Sequence, residues 1–302
     1  MHTKSKSAKV SRPVAPTENK PVKAKAKLWV LWEPATQTFV IAIMIAVLAS
    51  MGVVAMQYSD VAAGNGQAQA STSQLLWQDA PASPVGSSIA SGKGSASPMR
   101  NWRTANNYIY GGGAIRVVAD DTKGEALEFF GAANKSQSDA NGQNQRAEQI
   151  ANFSVKKDST YWFGFDLWVA PGSGVASGKQ SIWQILPQPD RSQAKLWLAL
   201  NSNREGLALE TDTASLPIGQ ASDKSWDRIV IGVHVADDEK AWLELWRNGQ
   251  QVVGRQFMPG GVLAKNADSG LMAAGIYRSE QAWDLKVRMA NLKVATTRDV
   301  VF

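Results

Sequence analysis

Aromatic and acidic side chains alternate with aliphatic ones along short stretches of the chain. In one stretch Trp242, Glu244 and Trp246 occupy every second position, and Leu243 and Leu245 lie between them. On a β-strand this spacing places the two indoles and the carboxylate on one face. Indole rings stack on the apolar face of a pyranose, while carboxylates, amides and guanidinium groups bind its hydroxyls. The chemistry expected of such a face is carbohydrate binding.

The tryptophans also have a purely structural interpretation. Nine of the twelve lie beyond residue 100. In that region Trp162 and Trp168 lie on one face of a predicted strand, and Tyr161 and Phe163 lie on its other face. On another predicted strand, Trp197 lies on the face opposite to three leucines. Large indoles commonly fill the core of a sandwich or cover its outer face. A concave glycan groove and a tryptophan-rich core therefore both remain open.

The elements that must position these side chains are β-strands. Short apolar runs recur between clusters of Gly, Asn, Asp and Ser, at the spacing of a sandwich or barrel. The pair Asn248–Gly249 between two such runs indicates a hairpin. No long helical period follows residue 60, so we expect an all-β, two-sheet antiparallel sandwich. The predicted strands are Ala114–Val118, Ala126–Phe130, Tyr161–Val169, Ser181–Leu186, Lys195–Leu200, Gly206–Glu210, Arg228–Val235, Ala241–Trp246, Gln251–Phe257, Gly270–Ile276 and Leu285–Val294.

A long uncharged segment precedes this region. Residues 38–56 carry no charged side chain, and as a helix they would span roughly 28 Å, about the hydrocarbon thickness of a bilayer. Trp29 and Trp32 precede the segment and Tyr58 follows it, as is typical of membrane interfaces. Residues 1–36 hold eight Lys or Arg against two Glu, which accounts for the whole net charge of +6. The positive-inside rule places this tail in the cytoplasm.

These features divide the chain into four parts. We expect a basic cytoplasmic tail (1–36), one transmembrane helix (37–57), a flexible, disordered stalk rich in Ala, Gly, Ser and Gln (58–100), and a β-domain (101–302). A cleaved signal peptide is the alternative for the apolar segment, although its apolar run exceeds the usual length of roughly 7–15 residues. Because the basic charge lies beside the membrane segment, it does not indicate nucleic-acid binding. The absence of cysteine excludes disulfides and thiolate metal sites.

Seven motifs follow one another in the β-domain: Gln145–Gln149, Tyr161–Val169, Ser181–Leu186, Leu196–Leu200, Ser225–Val233, Trp242–Gly249 and Ala274–Arg278. Their order and spacing resemble the jelly-roll polysaccharide lyases, which include glucuronan lyase, heparin lyase I and the β-jelly-roll alginate lyases. The resemblance covers about residues 101–297 and implies a concanavalin-like β-jelly-roll sandwich. It also implies β-elimination on a uronate-containing glycan, in which a base removes the C5 proton and the C4–O bond breaks.

The resemblance further implies roles for single residues. The arginine of the family's Arg-x-Glu strand falls on Arg146, the glutamine of its Gln-x-His strand on Gln184, and the tyrosine of its Gly-x-Tyr strand on Tyr277. Tyr277 would act as acid, or as acid and base, while Arg146 and Gln184 neutralise the uronate carboxylate. A half-buried strand tyrosine is the alternative for Tyr277. The residues expected to bind substrate are Glu148, Trp183, Trp242, Glu244, Trp246 and Arg278.

The sequence departs from the family at one position. The family's histidine falls on Leu186, which cannot titrate, and this removes a general base worth about 10²–10⁴-fold in rate. His234 is the only histidine of the β-domain, and its place in a predicted strand favours an ordinary strand residue. The alternative for Arg146 and Glu148 is that they pair with each other or with neighbours, and the alternative for Gln184 is a polar residue satisfied by cross-strand hydrogen bonds.

Two functions from different classes fit these features. One is a membrane-anchored lyase for an acidic polysaccharide; the other is a glycan-binding module that has lost the histidine and serves exopolysaccharide synthesis, export or attachment. The expected partners are an acidic polysaccharide, the membrane through residues 38–56, and polysaccharide synthesis or export proteins, but no nucleic acid. The expected location is the bacterial inner membrane, single-pass, with the β-domain in the periplasm. Because Asp120–Asp121 and Asp237–Asp238 resemble turn residues, no metal or cofactor is expected.

Overall fold

The structure, a computed structural model, describes eleven segments of the chain. They are residues 73–79, 88–90, 101–102, 108–135, 137–139, 142–171, 180–189, 194–200, 206–222, 225–279 and 281–302. None of these segments contains a helix of the length and hydropathy needed to cross a membrane. The predicted tail (1–36) and transmembrane helix (37–57) lie outside the described residues.

The described residues form β-strands that pair throughout in antiparallel fashion. The strands are β1 (Leu75–Gln78), β2 (Ser88–Ala90), β3 (Tyr108–Tyr110), β4 (Gly113–Asp120), β5 (Gly124–Gly131), β6 (Gln137–Asp139), β7 (Gly142–Lys156), β8 (Ser159–Val169), β9 (Gln180–Gln188), β10 (Leu196–Leu200), β11 (Leu207–Thr211), β12 (Ser215–Gly219), β13 (Asp227–Val235), β14 (Trp242–Arg247), β15 (Gln250–Phe257), β16 (Ser269–Ser279) and β17 (Leu285–Ala295). A short 3-10 helix, Arg298–Val300, follows the last strand.

Two sheets divide these strands between them. The nine-stranded sheet has the order β15-β14-β13-β8-β17-β5-β4-β2, and β1 also pairs with β17. The eight-stranded sheet has the order β12-β11-β10-β9-β16-β7-β3, and β6 also pairs with β7. Neighbours in each sheet are often distant in sequence, as they are in a jelly roll. The all-β, two-sheet antiparallel sandwich predicted from the sequence is confirmed.

The hydrophobic core lies between the two sheets. Phe163 and Phe165 of β8 point inward from the nine-stranded sheet, and Trp183 of β9 meets them from the other sheet. The ring centroid of Trp183 lies 5.1 Å from that of Phe163 and 6.3 Å from that of Phe165. Because none of the three side chains retains exposed area, aromatic packing of this kind fixes the two sheets face to face.

Each strand predicted by alternation overlaps an observed one. The strands that lacked a prediction are β1, β2, β3, β6, β7 and β12. The longest of them, β7, contains the buried polar residues Gln145, Glu148 and Gln149. Polar residues at buried positions interrupt the apolar pattern on which strand prediction depends.

The sandwich begins before residue 101, inside the range predicted as a stalk. β1 pairs with β17, with Leu75 opposite Ala295 and Trp77 opposite Val294, and β2 pairs with β4. Trp77 is only 7% exposed, and its ring packs edge-on against Trp102 at 5.2 Å. Because the surrounding sequence is rich in Ala, Ser and Gly, its composition gave no indication that Trp77 would be buried. The disordered-stalk prediction is therefore wrong for residues 75–78 and 88–90, and the rest of the range is largely outside the described residues.

Two predicted turns have the expected geometry. Asn248 and Gly249 connect β14 to β15 with φ angles of 51° and 83°, the left-handed pair that a two-residue hairpin requires. Asp120 ends β4, and its Oδ1 accepts hydrogen bonds from the backbone N–H groups of Thr122 and Lys123, both at 3.0 Å. Asp120 is thus a turn residue that caps the β4–β5 connection.

Candidate functional site

Three neighbouring strands of the eight-stranded sheet bring the predicted catalytic residues together. Arg146 lies on β7, Tyr277 on β16 and Gln184 on β9, and β16 runs between the other two. Arg146 and Tyr277 are cross-strand partners, and the guanidinium carbon lies 4.4 Å from the centroid of the tyrosine ring. This contact is a cation–π interaction, which holds the cation beside the phenol. The three residues converge on one face of one sheet.

Glu148 links the arginine to the glutamine. Arg146 Nε donates to Glu148 Oε2 at 2.5 Å, and Gln184 Nε2 donates to Glu148 Oε1 at 2.6 Å. The side chain of Glu148 is only 1% exposed, against 14% for Arg146. The carboxylate is buried with compensating partners, as a buried charge must be. The interpretation of Arg146 and Glu148 as an ion pair on one strand face is confirmed, and this pair also fixes the amide of Gln184.

Gly275 of β16 lies beside this bridge, at a point where the sheet leaves no space for a side chain. It is the cross-strand partner of Glu148 and adopts a φ angle of 127°. A Cβ atom at this position would lie 2.1 Å from the carbonyl oxygen of Ala147. A residue with a side chain would therefore clash with the backbone of β7 at Ala147 and Glu148 and with the core ring of Phe129, whose Cδ1 would lie 2.8 Å away, so this position requires glycine. The glycine two residues before Tyr277 is part of the site's construction.

Two further side chains extend the same face. Trp197 of β10 is the cross-strand partner of Gln184 on one side and of Glu210 on the other. Directly opposed residues of antiparallel strands point to the same face, so Trp197 and Glu210 continue the row that begins at Gln184. Trp197 is partly exposed, whereas Glu210 is buried. The sequence signal for Trp197 was its position between Leu196 and Leu198 on the polar side of the strand.

The face ends in an apolar cluster around Leu186, the position on which the resemblance places the family's histidine. Leu186 lies two residues beyond Gln184 on β9 and is 3% exposed. It packs with Ile150, Leu271 and Ala273 in a cluster separate from the main core. A histidine at this position would occupy the same face as Gln184, but among aliphatic side chains.

Trp183 does not belong to the site, and its prediction as a substrate ligand is wrong. It precedes Gln184, and successive side chains of a strand point to opposite faces. Since Gln184 faces the site, Trp183 faces the core, where it meets Phe163 and Phe165 and has no exposed area. The indole joins the two sheets and is inaccessible to a glycan.

Arg278 is wrong as a substrate ligand for the same reason. It follows Tyr277 and points to the opposite side of β16, where it is 1% exposed. Its Nε donates to Gln145 Oε1 at 2.5 Å, and its Nη2 donates to the carbonyl oxygens of Gly131 and Trp283 at 2.9 and 2.8 Å. Burial lowers the pKa of this guanidinium to about 10, although the charge of Asp284 partly opposes the shift. Arg278 holds loops together at the end of the sandwich.

Trp242, Glu244 and Trp246 lie on the other sheet, so they cannot line a groove with Tyr277. Their strand, β14, belongs to the nine-stranded sheet. Leu243 and Leu245 point into the core, which turns the three alternate residues to the outer face of that sheet. Their prediction as ligands of the catalytic groove is therefore wrong, although the prediction that they share one face is right.

His234 lies on the other sheet, away from Arg146, Gln184 and Tyr277. It lies on β13 of the nine-stranded sheet and is the cross-strand partner of Trp242 and Thr160. Its Nδ1 is 3.1 Å from Thr160 Oγ1, and its ring stacks on Trp242 with centroids 6.3 Å apart. The interpretation of His234 as an ordinary strand residue is confirmed.

Comparison with known proteins adds a likeness in fold. No family model and no curated protein matches the sequence. A solved endo-β-1,4-glucuronan lyase from the fungus Trichoderma reesei superposes with a TM-score of 0.50 at 13% identity, covering 65% of this chain and 90% of that one. An alginate lyase of polysaccharide lyase family 7 gives a TM-score of 0.45 at 14% identity, covering 67% and 91%. The chain shares its fold with a jelly-roll polysaccharide lyase, as its motifs predict.

Proposed function

We propose that the β-domain binds an acidic, uronate-containing polysaccharide on the face formed by Arg146, Glu148, Gln184, Trp197 and Tyr277, and cleaves it by β-elimination. The observation that carries this proposal is the convergence of Arg146, Gln184 and Tyr277 on three adjacent strands. A guanidinium, an amide and a phenol side by side are what this reaction needs near a sugar carboxylate. The likeness in fold to a glucuronan lyase supports the same conclusion.

The reaction divides into two tasks. The C5 proton of a uronate is acidic only when the charge that spreads onto its carboxylate is stabilised, and the Arg146 guanidinium and Gln184 amide provide donors for that charge. Tyr277 accepts the C5 proton and returns a proton to the O4 leaving group. A C4=C5 double bond forms as the C4–O bond breaks, so the reaction consumes no water. The product carries an unsaturated uronate at its new non-reducing end.

Glu148 has a positioning role in this scheme. It holds the donors of Arg146 and Gln184 at 2.5 and 2.6 Å, so both side chains stand oriented before substrate arrives. The uronate carboxylate of the substrate would approach donors that hydrogen bonds to the Glu148 carboxylate have already oriented. Trp197, beside Gln184, offers its partly exposed indole as a platform for the neighbouring sugar.

One observation favours the second candidate, a glycan-binding module without catalysis. The resemblance places the family's histidine on Leu186, and the surrounding cluster of Ile150, Leu271 and Ala273 is aliphatic. No titratable side chain takes over that position among these residues. In this alternative the same face holds the polysaccharide during synthesis, export or attachment, and Tyr277 contributes only a hydroxyl.

A direct assay separates the two. The full-length chain is incubated with glucuronan, alginate, hyaluronan and heparin, and the ultraviolet absorbance of the unsaturated uronate is followed. We expect a rise with at least one polymer. Absence of any rise, together with glycan binding that Arg146→Met weakens, would establish the module; absence of both rise and binding would reject this face as a polysaccharide site.

We infer further that the chain is anchored in the bacterial inner membrane. This rests on the uncharged residues 38–56 and the basic tail 1–36, which favour a cytoplasmic N-terminus and a periplasmic β-domain. An anchor would hold the sandwich at the membrane, beside polysaccharide synthesis or export proteins and where the polysaccharide leaves them.

We expect the chain to stay in the membrane pellet after alkaline carbonate extraction, because roughly 19 apolar residues partition strongly into the bilayer. Replacing Ile43 and Leu48 with arginine should release it, since each charge at the helix centre costs about 2.5–3.5 kcal/mol on insertion. In spheroplasts, added protease should digest the β-domain while the tail stays protected. A wild-type chain recovered in the soluble fraction contradicts the anchor.

A further inference from the structure

Three indoles gather on the outer face of the nine-stranded sheet, away from the candidate site. Trp162 of β8 lies 5.4 Å from Trp246 and 6.5 Å from Trp242, both on β14, between ring centroids. We call these three residues the tryptophan face. It belongs to the sheet that does not carry Tyr277, so the proposed lyase chemistry leaves it without a role.

A glycine in the intervening strand creates this cluster. Gly232 of β13 is the cross-strand partner of both Trp162 and Glu244. A Cβ at Gly232 would lie 2.7 Å from the six-membered ring of Trp162 and 3.1 Å from the Glu244 side chain. Without a side chain at that point, the Trp162 indole lies over β13 and reaches the tryptophans of β14. The absence of a side chain at Gly232 thus allows the indoles to lie close together.

An open pocket of about 530 Å³ adjoins the tryptophan face. Trp162 and Trp246 form one wall, and Glu244, Gln251, Thr297 and Arg298 are among its polar lining. The volume falls within the range of roughly 300–1,000 Å³ of small-ligand sites. Thr297 Oγ1 is buried without a hydrogen-bond partner in the described part of the chain. The pocket offers an apolar wall, donors, acceptors and one unused hydroxyl.

The charges around the pocket are balanced. The Arg298 guanidinium lies 4.8 Å from the Trp246 ring centroid, with Asp299 3.9 Å away. The Arg255 guanidinium lies 3.8 Å from the Trp242 ring and donates to Glu244 at 2.9 Å. Two cations and two carboxylates sum to zero net charge, so no excess of positive charge favours an anion. Paired donors and acceptors beside an indole suit hydroxyl groups, which both donate and accept.

We propose that the tryptophan face is a second glycan-binding site, which takes the hydroxyl-bearing pyranose rings of a polysaccharide and does not require carboxylates. A sugar ring would lie against the partly exposed indole of Trp162, next to Trp246, which is 8% exposed, with its hydroxyls paired by Glu244, Gln251, Thr297 and Arg298. The site acts independently of cleavage on the opposite sheet. With two sites on opposite sheets, one domain could bind a polysaccharide on the tryptophan face. A second segment of the same polysaccharide, or a second polysaccharide chain, would then occupy the candidate catalytic face.

The test uses two ligands that differ only at C6, a β-1,4-glucan hexamer and a β-1,4-glucuronan hexamer, with the full-length chain and titration calorimetry. We expect the neutral glucan to bind, and Trp162→Leu to weaken its binding by about tenfold or more. The matched control is Trp168→Leu. Trp168 is on the same strand and face and is also partly buried, but it lies outside the pocket lining.

Three outcomes overturn the proposal: no binding of the glucan at millimolar concentration, equal loss in Trp162→Leu and Trp168→Leu, or loss of glucan binding in Arg146→Met. The last would show that the glucan occupies the candidate catalytic face instead. If Trp162→Leu does not fold, the pair Gln251→Ala and Thr297→Val supplies the test, because each removes a hydrogen-bonding group from the lining; unchanged glucan binding in both then rejects the site. Failure of the lyase assay does not bear on these results.

Discussion

Replacing Tyr277 with phenylalanine is expected to lower the rate of polysaccharide cleavage by at least about 10²-fold, the usual contribution of a general acid or base. The substitution removes only the hydroxyl. The ring keeps its contact with Arg146, whose guanidinium lies 4.4 Å from the centroid, so the Arg146–Glu148–Gln184 bridge should persist. The loss should therefore appear in kcat rather than in KM, and initial rates of unsaturated product at several polymer concentrations would measure it.

Tyr161→Phe is the matched control. The Tyr161 hydroxyl accepts a hydrogen bond from the backbone N–H of Lys156 at 3.0 Å, and the ring packs in the core beside Phe153 and Phe163. Removing this hydroxyl should cost about 1 kcal/mol of stability and leave the rate unchanged. A Tyr277→Phe variant that keeps more than half of the wild-type kcat would remove Tyr277 from the reaction and leave Glu148 or a bound water as the proton acceptor to test.

The strands were predictable because alternation is a local property. In 161–168, residues Phe163 and Phe165 face the core and Trp162 faces outward, as their spacing requires. β7 escaped prediction because its buried positions hold Gln145, Glu148 and Gln149. The side chains of Gln145 and Glu148 are satisfied by partners from other strands and loops, Gly111 for the former and Gln184 for the latter. No local pattern indicates that such partners exist.

Two of the wrong predictions, Trp183 and Arg278 as substrate ligands, could have been avoided from the sequence alone. Trp183 is next to Gln184, and Arg278 is next to Tyr277, so within a strand only one member of each pair can face the substrate. Alternation thus excludes Trp183 and Arg278 once Gln184 and Tyr277 are chosen. The structure shows both excluded residues buried on the core side.

The placement of Trp242, Glu244 and Trp246 was not predictable in this way. Alternation correctly put them on one face of β14, but it does not state which sheet a strand joins. That choice depends on the pairing of β14 with β13 and β15, which is a tertiary property. The convergence of Arg146, Gln184 and Tyr277 likewise depends on β16 lying between β7 and β9. The family resemblance supplied this information, and the residue pattern alone did not.

The unpredicted strand β1 carries an unusual carboxyl group at its end. Asp79 follows β1, and its backbone N–H donates to the carbonyl oxygen of Leu292 at 3.0 Å. Burial raises the pKa of the Asp79 carboxyl to about 7, although hydrogen bonds with the backbone and the charges of Lys293 and Arg228 oppose the shift. The attachment of β1 to β17 should therefore depend on pH.

The direction in which the stability of the folded chain changes with pH follows from proton linkage. Between pH 4 and pH 7 the unfolded chain has an ionised Asp79, whereas the folded chain keeps the carboxyl protonated, so folding takes up a proton and stability falls as pH rises. Above about pH 7 the penalty is complete, and it reaches up to about 4 kcal/mol if β1 stays docked. Detachment of β1 limits this penalty to the free energy of its docking, to which Trp77 contributes most because it is 7% exposed.

Asp79→Asn should accordingly leave stability unchanged at pH 4 and raise it progressively up to pH 8. Denaturant unfolding of the two proteins at pH 4, 6 and 8 gives the difference, in which the other carboxyl groups cancel. Hydrogen exchange of residues 75–78 tests the local form of the effect, since β1 should exchange faster at pH 8 only in the wild-type chain. Asp299→Asn is the control, because the Asp299 side chain is 88% exposed and its replacement should show no such trend. A stability difference between Asp79→Asn and wild type that does not grow from pH 4 to pH 8 would mean that the folded chain accommodates the Asp79 charge, with Lys293 and Arg228 offsetting its burial.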